Sequence, residues 1–340
     1  MKVLVTGVSG FLGGAIARAF MERGDRVHGL SRRAPQKSGR DAIDLEHFQG
    51  DIADLEVCRR AAQGVGVVVH SAARVGAHGS PAPFERTNVE GTCNLLLCAR
   101  DAGARAFVFT STPSVVFDGR DQEGVDESVP YPRRHLSHYS RTKAIAEEMV
   151  LAANGKDMAT VSLRPHLVFG PGDTSLLPRL LDRARSGRLR RFRGTTTKID
   201  VTFVDDAAAA HLLAADALLE GGARAAKVAG KAFFISSGEP VDTWKMIDRL
   251  LEAAGAPRVS REISPRLSYF LGWLCEILWR GESEPPLTRW VVRELATSHW
   301  FDIGAARRDL GYRPSVSVEE GLRRLQAWLQ TSDRRIEPHR

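Results

Sequence analysis

The first half of the chain alternates short apolar runs with stretches whose apolar residues recur at helical spacing. Runs rich in β-branched and aromatic residues between turn residues read as strands, and i, i+3, i+4 spacing reads as helix. KVLVT (2–6) is the first strand, and AIARAFMERG (15–24) is a helix that stops at Gly24. RVHGLS (26–31) is the second strand, VGVVVHSAA (65–73) a later one, and NVEGTCNLLLCARDAG (88–103) a helix ending at Gly103. AFVFTST (106–112) returns to strand, YSRTKAIAEEMVLAAN (139–154) is a long helix, and ATVSLRPHLVFGPG (159–172) is one more strand. This alternation predicts a parallel sheet covered by helices on both faces.

Beyond residue 172 the alternation loosens. Segments 174–193 and 238–330 are helix-rich with scattered prolines, while 203–219 and AFFISS (232–237) look like a return to the sheet. The expected organisation is a sheet domain of 1–173 plus about 195–237, and a smaller lobe of about 174–194 plus 238–330. A tail follows at 331–340. No linker or repeat separates the parts, so they are expected to fold as one unit.

GVSGFLGG (7–14) follows the first strand and opens a helix. Gly7 permits a tight turn, Gly10 lets backbone approach a pyrophosphate, and Gly13 allows close packing of helix on strand. Ser9, Phe11 and Leu12 complete the turn, whose helix N-terminus offers its positive end to phosphate. The fold class is therefore α/β: a Rossmann-type doubly wound parallel sheet with a smaller, mostly helical C-terminal substrate lobe. An acid at the end of the second strand would favour NAD, yet this chain has Ser31-Arg32-Arg33. Guanidinium forks attract a 2′-phosphate, so NADP(H) is the preferred cofactor and NAD(H) the alternative. Asp51, beside Ile52, is placed to accept from the adenine amino group. Ser71-Ala72-Ala73 supply small residues where backbone passes close to the cofactor.

HYSRTK sets Tyr139 and Lys143 four residues apart, on one helix face. A phenol titrates near about 10; an adjacent ammonium favours the phenolate and predicts a depressed value. Such a pair suits proton transfer to or from a substrate oxygen while hydride moves at carbon. Thr110-Ser111-Thr112 end a strand at the carboxyl edge of the sheet, where a hydroxyl can bond that same oxygen. Phe117, Arg133 and His135, in the loop before the helix, are placed by analogy at the border of the substrate. His70, His138 and His166 are expected to be packing or loop residues.

Composition changes this picture little. With 340 residues, 43% hydrophobic and 26% charged, the chain reads as a globular protein. Neither a spanning run nor a signal peptide is evident, so the cytoplasm is the expected compartment. Cys58, Cys93, Cys98 and Cys275 have no metal-ligand spacing, and no metal is expected. The net charge of +7 comes from arginines, concentrated in 178–193 and near the C-terminus, read as solvated faces. No nucleic-acid module accompanies them. RLSYFLGWLCEILWRG (266–281), with Trp273 and Trp279, is aromatic and apolar; core or acyl-pocket wall is preferred over peripheral membrane contact or docking.

The ordered motifs GVSGFLG, GDIAD, VVVHSAA, TNVEGT, FVFTSTPSV, YSRTK, LRPHLVFGPGD and FVDD resemble the extended short-chain dehydrogenase/reductase superfamily over nearly the whole chain. FFISSGEP and PPLTRW resemble its 3β-hydroxysteroid dehydrogenase/isomerase branch. Within that branch TSTPSV, LRPHLVFGPGDTSLLPRL and SHWFDIGAARRDLGY are most similar to bacterial 2-alkyl-3-oxoalkanoate reductases of olefin biosynthesis. The resemblance implies Tyr139 as acid/base and Lys143 as its tuner and ribose ligand. It implies Thr112 as the catalytic hydroxyl, with Ser111 as the fallback; threonine replaces the commoner serine. Gly7, Gly10, Gly13, Asp51 and the backbone of Pro165 and His166 match cofactor contacts, and Arg32 fits NADP-using members. The implied activity is reduction of a β-keto acid carrying long alkyl chains. A homodimer or a multi-enzyme olefin-biosynthesis assembly is the expected partner. A hydroxysteroid, sugar or alcohol dehydrogenase, and a non-catalytic dinucleotide sensor, stay open.

Overall fold

A computed structural model describes residues 1–35, 45–76, 78–279 and 285–331. Five strands open the fold: β1 (Lys2–Thr6), β2 (Arg26–Ser31), β3 (Glu46–Gln49), β4 (Val67–His70) and β5 (Ala106–Thr110). Strands Ala159–Pro165 and Lys231–Ile235 extend the sheet beyond β5, and every pairing in the seven-stranded sheet is parallel. The order reverses between β1 and β4, so a crevice opens there at the carboxyl ends of the strands.

Side-chain alternation divides the core. Val3, Val5, Val67 and Val69 pack with Ile16, Phe20 and the alanines of helix Val204–Glu220 on one face. Leu4, Val68, Phe107 and Phe109 pack with Cys58, Leu95, Cys98, Ala146 and Val150 on the other. Cys58 and Cys98 are buried packing residues, and Cys93 is half-buried. Among the described residues no cluster of three or more metal-ligating side chains occurs.

Segment 203–219, read as a return to the sheet, is helical from Val204 to Glu220 and lies over the sheet against helix Phe11–Glu22. Its alanine run lacks the β-branched side chains of a strand and gives a smooth face for close packing.

The lobe is stitched to the body by a small sheet. Its strands are Val241–Asp242, Lys198–Ile199, His299–Phe301 and Gln122–Val125, the last drawn from the loop before helix His138–Ala152. Tyr312 closes the seam by donating its hydroxyl hydrogen to the Ser236 carbonyl at 3.1 Å.

Helix Pro265–Leu278 departs from the reading as core, although its Tyr269 and Glu276 line a cavity against helix Arg289–Ala296. Only Ser268 and Gly272 are buried in it, and Phe270, Trp273, Ile277 and Leu278 are exposed. The helix meets Arg289–Ala296 through its small residues: a Cβ on Gly272 would lie 3.0 Å from the Arg289 backbone nitrogen. Small residues face inward, so the large apolar ones are left outside. No helix among the described residues is long and apolar enough to cross a membrane.

Candidate active site

The glycine turn is built as its spacing requires. Gly7 has φ +75°, and a Cβ there would sit 3.0 Å from Ala72 Cα, so the turn and the loop leaving β4 touch backbone to backbone. A Cβ on Gly13 would fall 2.3 Å from the Gly7 carbonyl oxygen, which fixes helix Phe11–Glu22 hard against the turn. That helix starts at Gly10 with no side-chain cap and no acid in its first turn. Its leading N–H groups at Phe11, Leu12 and Gly13 therefore present an uncompensated positive end to the crevice, beside exposed Ser9. A dinucleotide pyrophosphate fits this cradle.

A hydrogen-bonded chain positions the opposite wall. Thr6 Oγ1 accepts from the Ser71 and Ala72 amides at 3.1 and 3.0 Å, leaving its proton for His70 Nδ1 at 2.8 Å. Thr92 donates to the Asn88 carbonyl, so His70 Nε2–H donates to Thr92 at 2.9 Å. His70 is thus a neutral Nε2–H imidazole; burial, with the Lys143 charge, holds it well below the usual histidine range. Asn88, in the π-helical turn Glu85–Glu90, clamps the Arg74 backbone through both amide atoms and donates to Thr142 on the Tyr139 helix.

At the adenosine end, Arg32 and Arg33 are exposed at the tip of β2. Ser31 is buried and spends its hydroxyl on the Arg33 carbonyl and His47, so it shapes the turn. Asp51 is part-buried and accepts from the Ala53 amide at 3.0 Å. Ile52 is buried against Gly91, and Ala73 lies half-buried beside Ala72.

The reacting end lies on the other side of the crevice. Ser137 caps helix His138–Ala152, accepting from the Ser140 amide, and so sets Tyr139 in the first turn. The Thr112 hydroxyl caps the turn that follows, accepting from the Ser114 amide at 3.3 Å and donating to the Ser114 hydroxyl at 3.3 Å, and it lies near enough to the Tyr139 phenol to lower its pKa. Lys143 Nζ donates to the Thr110 carbonyl at 2.7 Å and lies 3.9 Å from the Phe109 ring centre. Burial pulls the Lys143 amine down to about 7 against the raising effect of Glu147. The sequence predicts a depressed phenol at Tyr139. Instead burial pushes it up to about 12, with the Thr112 hydroxyl lowering it and the Glu294 charge raising it. Desolvation, which disfavours phenolate, is the largest influence on it.

The Ser/Thr triplet divides its labour. Thr110 donates to His211 Nε2 at 2.8 Å, a ring that burial lowers to about 4, and offers only its carbonyl to Lys143. Ser111 Oγ is buried without a partner, whereas Thr112 acts on the Tyr139 phenol. His166 is a packing residue, as expected. Its amide donates to the Ile235 carbonyl at 3.0 Å and its carbonyl accepts from Thr202 at 2.6 Å, so its backbone, following buried Pro165, is engaged within the protein. Leu167, next in line, has φ +35°, a left-handed strain that marks the end of this strand.

The His166 ring joins a buried polar chain that sequence reading does not find. His166 Nδ1 meets Asp200, and its Nε2 meets His299 Nδ1 at 3.1 Å. His299 Nε2 donates to the Glu294 carbonyl at 2.7 Å, with the Glu294 carboxyl 3.5 Å away. Burial lifts Glu294 to about 7. A second hidden unit lies under Lys143. Glu147, one turn on, takes a bidentate bond from Arg164 and further bonds from Ser162 and Tyr131. Despite burial, these partners hold its carboxyl below the usual range. Glu147 is four residues from Lys143, a spacing that could have flagged it; Glu294 and His299 reach the site only through the lobe. Phe117 stacks edge-on against His299, and His135 lines the cavity beside the Tyr139 helix, a cavity whose lining does not include Arg133.

Comparison with known proteins agrees with this geometry. Residues 4–265 match the 3-beta hydroxysteroid dehydrogenase/isomerase family. A 2-alkyl-3-oxoalkanoate reductase of Stenotrophomonas maltophilia (strain K279a) is 46% identical, over 96% of this chain and 99% of that one. Another of that name, from Shewanella oneidensis, is 39% identical over 96% of this chain and 85% of its own length. The solved structure of MoeE5 in complex with UDP-glucose and NAD superposes with a TM-score of 0.74 at 24% identity, over 97% and 99% of the two chains, and shares the fold. The chain belongs to the 3-beta hydroxysteroid dehydrogenase/isomerase family of extended short-chain dehydrogenases/reductases, and is an oxidoreductase.

Proposed function

We propose that the protein uses NADPH to reduce the 3-keto group of a long-chain 2-alkyl-3-oxoalkanoic acid to the 3-hydroxy acid. The observation that carries this reading is the Tyr139 phenol: half-buried beside Thr112 and pushed up to about 12 by desolvation, it keeps its proton at neutral pH. A phenol so set is a proton donor, which suits reduction. The reduced nicotinamide supplies the hydride. The chain's own groups do the rest. Thr112 and Tyr139 hold the substrate oxygen from one side, and Tyr139 passes its proton to that oxygen as negative charge develops there. Lys143, fixed on the Thr110 carbonyl, sits one turn further along the same helix; its amine, close to half-protonated near pH 7, is suited to resupply charge and protons.

The glycine turn and the bare N-terminus of helix Phe11–Glu22 would hold the pyrophosphate. Arg32, with Arg33, supports the preference for NADP(H), since both guanidinium groups are exposed at the strand end where a 2′-phosphate would lie. The long-chain acid as substrate is supported by the relatives of that name and by the intact Tyr139, Lys143 and Thr112.

The test is a spectrophotometric screen of NADPH and NADH against 2-alkyl-3-keto acids and 3-ketosteroids. Faster turnover of the acid with NADPH is expected. Turnover of the steroid alone would replace this reading with a steroid one, and binding of dinucleotide without any turnover would replace it with a sensor.

A further inference from the structure

A cavity of about 580 Å³ opens beside the first turn of the Tyr139 helix, between that helix and the C-terminal lobe. Its wall is unusually cationic. Arg134 and Arg141 enter from the body, Arg289 and Arg293 from helix Arg289–Ala296, with Glu276 as the single acid. Glu276 is spent on Arg289, taking bonds from its backbone nitrogen at 2.8 Å and from Nε at 2.7 Å. Arg141 is likewise satisfied by Glu85, 2.5 Å away. Among the described residues Arg134 and Arg293 have no carboxylate partner; Arg293 rests 4.9 Å from the ring centre of Tyr269. The wall also contains buried, unpartnered polar atoms, His135 Nδ1 and Trp290 Nε1. The N-terminus of helix His138–Ala152, at Ser137 and His138, adds its positive end to the same space.

Two spare guanidinium groups, unsatisfied polar atoms and a helix N-terminus converge on one cavity. Together they make a site for an anion with a planar fork of oxygens. The cavity begins one residue before Tyr139 and is bounded by Arg293, the neighbour of Glu294, whose charge acts on the Tyr139 phenol. In a 3-keto acid the carboxylate is separated from the reacting carbon by a single carbon. We infer that this arginine pocket binds the carboxylate of the substrate, with Arg134 and Arg293 as the recognising pair, so that the enzyme selects β-oxygenated carboxylic acids over neutral ketones. The inference rests on the reductase reading above and adds the residues that choose the substrate. Ionised Glu294 would oppose the incoming charge; because burial raises it to about 7, it is largely protonated below neutrality.

The test uses the reverse reaction, since 3-hydroxy acids are stable whereas 3-keto acids readily lose carbon dioxide. Oxidation of a 2-alkyl-3-hydroxyalkanoic acid and of its methyl ester by NADP⁺ is measured for the wild type, Arg134→Gln, Arg293→Gln and the double variant. Arg190→Gln, an exposed arginine outside the pocket, controls for net charge. The wild type should prefer acid over ester in kcat/KM. Each pocket variant should lower that preference about tenfold, mainly through KM for the acid, as expected for loss of one charge-assisted bond. Added salt should weaken the acid alone. An acid-to-ester ratio that the double variant leaves unmoved, or a wild type without preference, overturns the inference. Calorimetric binding of the hydroxy acid separates the two readings. Binding abolished by the double variant, without turnover in the wild type, sinks the reductase reading while the carboxylate pocket stands.

Discussion

The Lys143 ammonium is held by the main-chain oxygen of Thr110, 2.7 Å away, and lies 3.9 Å from the ring centre of Phe109. The lysine is therefore tied to the sheet on which the helix rests, and both ends of the reacting triplet are used. Thr110 fixes the lysine through its carbonyl, and the Thr112 hydroxyl lies beside the phenol and lowers its pKa. Ser111 lies between them and turns inward.

That division predicts unequal effects along the triplet. Tyr139→Phe should lower kcat by about a thousandfold with dinucleotide binding retained, the scale of losing a positioned proton donor. Thr112→Ala should cost about tenfold to a hundredfold, Thr112→Ser should restore most of it, and Ser111→Ala should change kcat less than about threefold. Steady-state kinetics with a dinucleotide fluorescence titration checks all four. A Ser111→Ala defect larger than that of Thr112→Ala would reassign the hydroxyl.

Glu294 gives a pH signature. Its carboxyl, ordinarily near 4.5, is lifted to about 7 by burial. A group with a raised folded pKa contributes stability below its unfolded value and loses it as pH rises through the folded one. The wild type should therefore lose stability relative to Glu294→Gln between about pH 4.5 and 7, with no further change above. Paired thermal melts across that range would show it; a constant difference would mean that Glu294 ionises normally. The ionised form also raises Tyr139, so the variant should shift the alkaline limb of kcat downward in pH.

Arg32 is testable by cofactor choice. Arg32→Ala should raise KM for NADPH by about tenfold and leave KM for NADH nearly unchanged, as expected for removal of one phosphate fork. Equal effects on both cofactors would show that the arginine serves only the surface.

Glu147→Gln should be felt as stability. It leaves the Arg164 guanidinium, 4% exposed, without its bidentate partner. A broken buried pair costs about 3–5 kcal/mol. Denaturant unfolding should show a lower midpoint at unchanged slope. Glu147→Gln together with Arg164→Met should recover part of the loss.

Much of this architecture is legible in the chain because it is local. Gly7, Gly10 and Gly13 lie in one turn, and Tyr139 and Lys143 share one helix face, so spacing alone brings each set together. The three hydroxyls of the triplet are adjacent in sequence, yet sequence cannot say which one lies by the phenol; β5 ends at Thr110, which turns to His211, and Thr112 caps the turn that follows, beside Tyr139. Less legible is whatever crosses from the lobe. Glu294, His299 and Arg293 lie more than a hundred residues from the helix they face, on a short helix and strand without a motif. The apolar run 266–281 reads as interior by composition. Its exposure follows from Gly272 and Ser268, whose small size makes theirs the face that packs. The phenol is hidden for a related reason: a cation four residues away is visible in sequence, and the desolvation that raises the phenol is not.

The Thr6–His70–Thr92 chain has a consequence for how the crevice responds to its surroundings. Its imidazole is locked in one tautomer and kept uncharged, so the wall of backbone facing Gly7 is indifferent to acid or alkali across the physiological span. The glycine turn's backing wall therefore carries no titrating switch of its own at His70. Acidification can alter what happens at the reacting carbon without charging that wall at its imidazole.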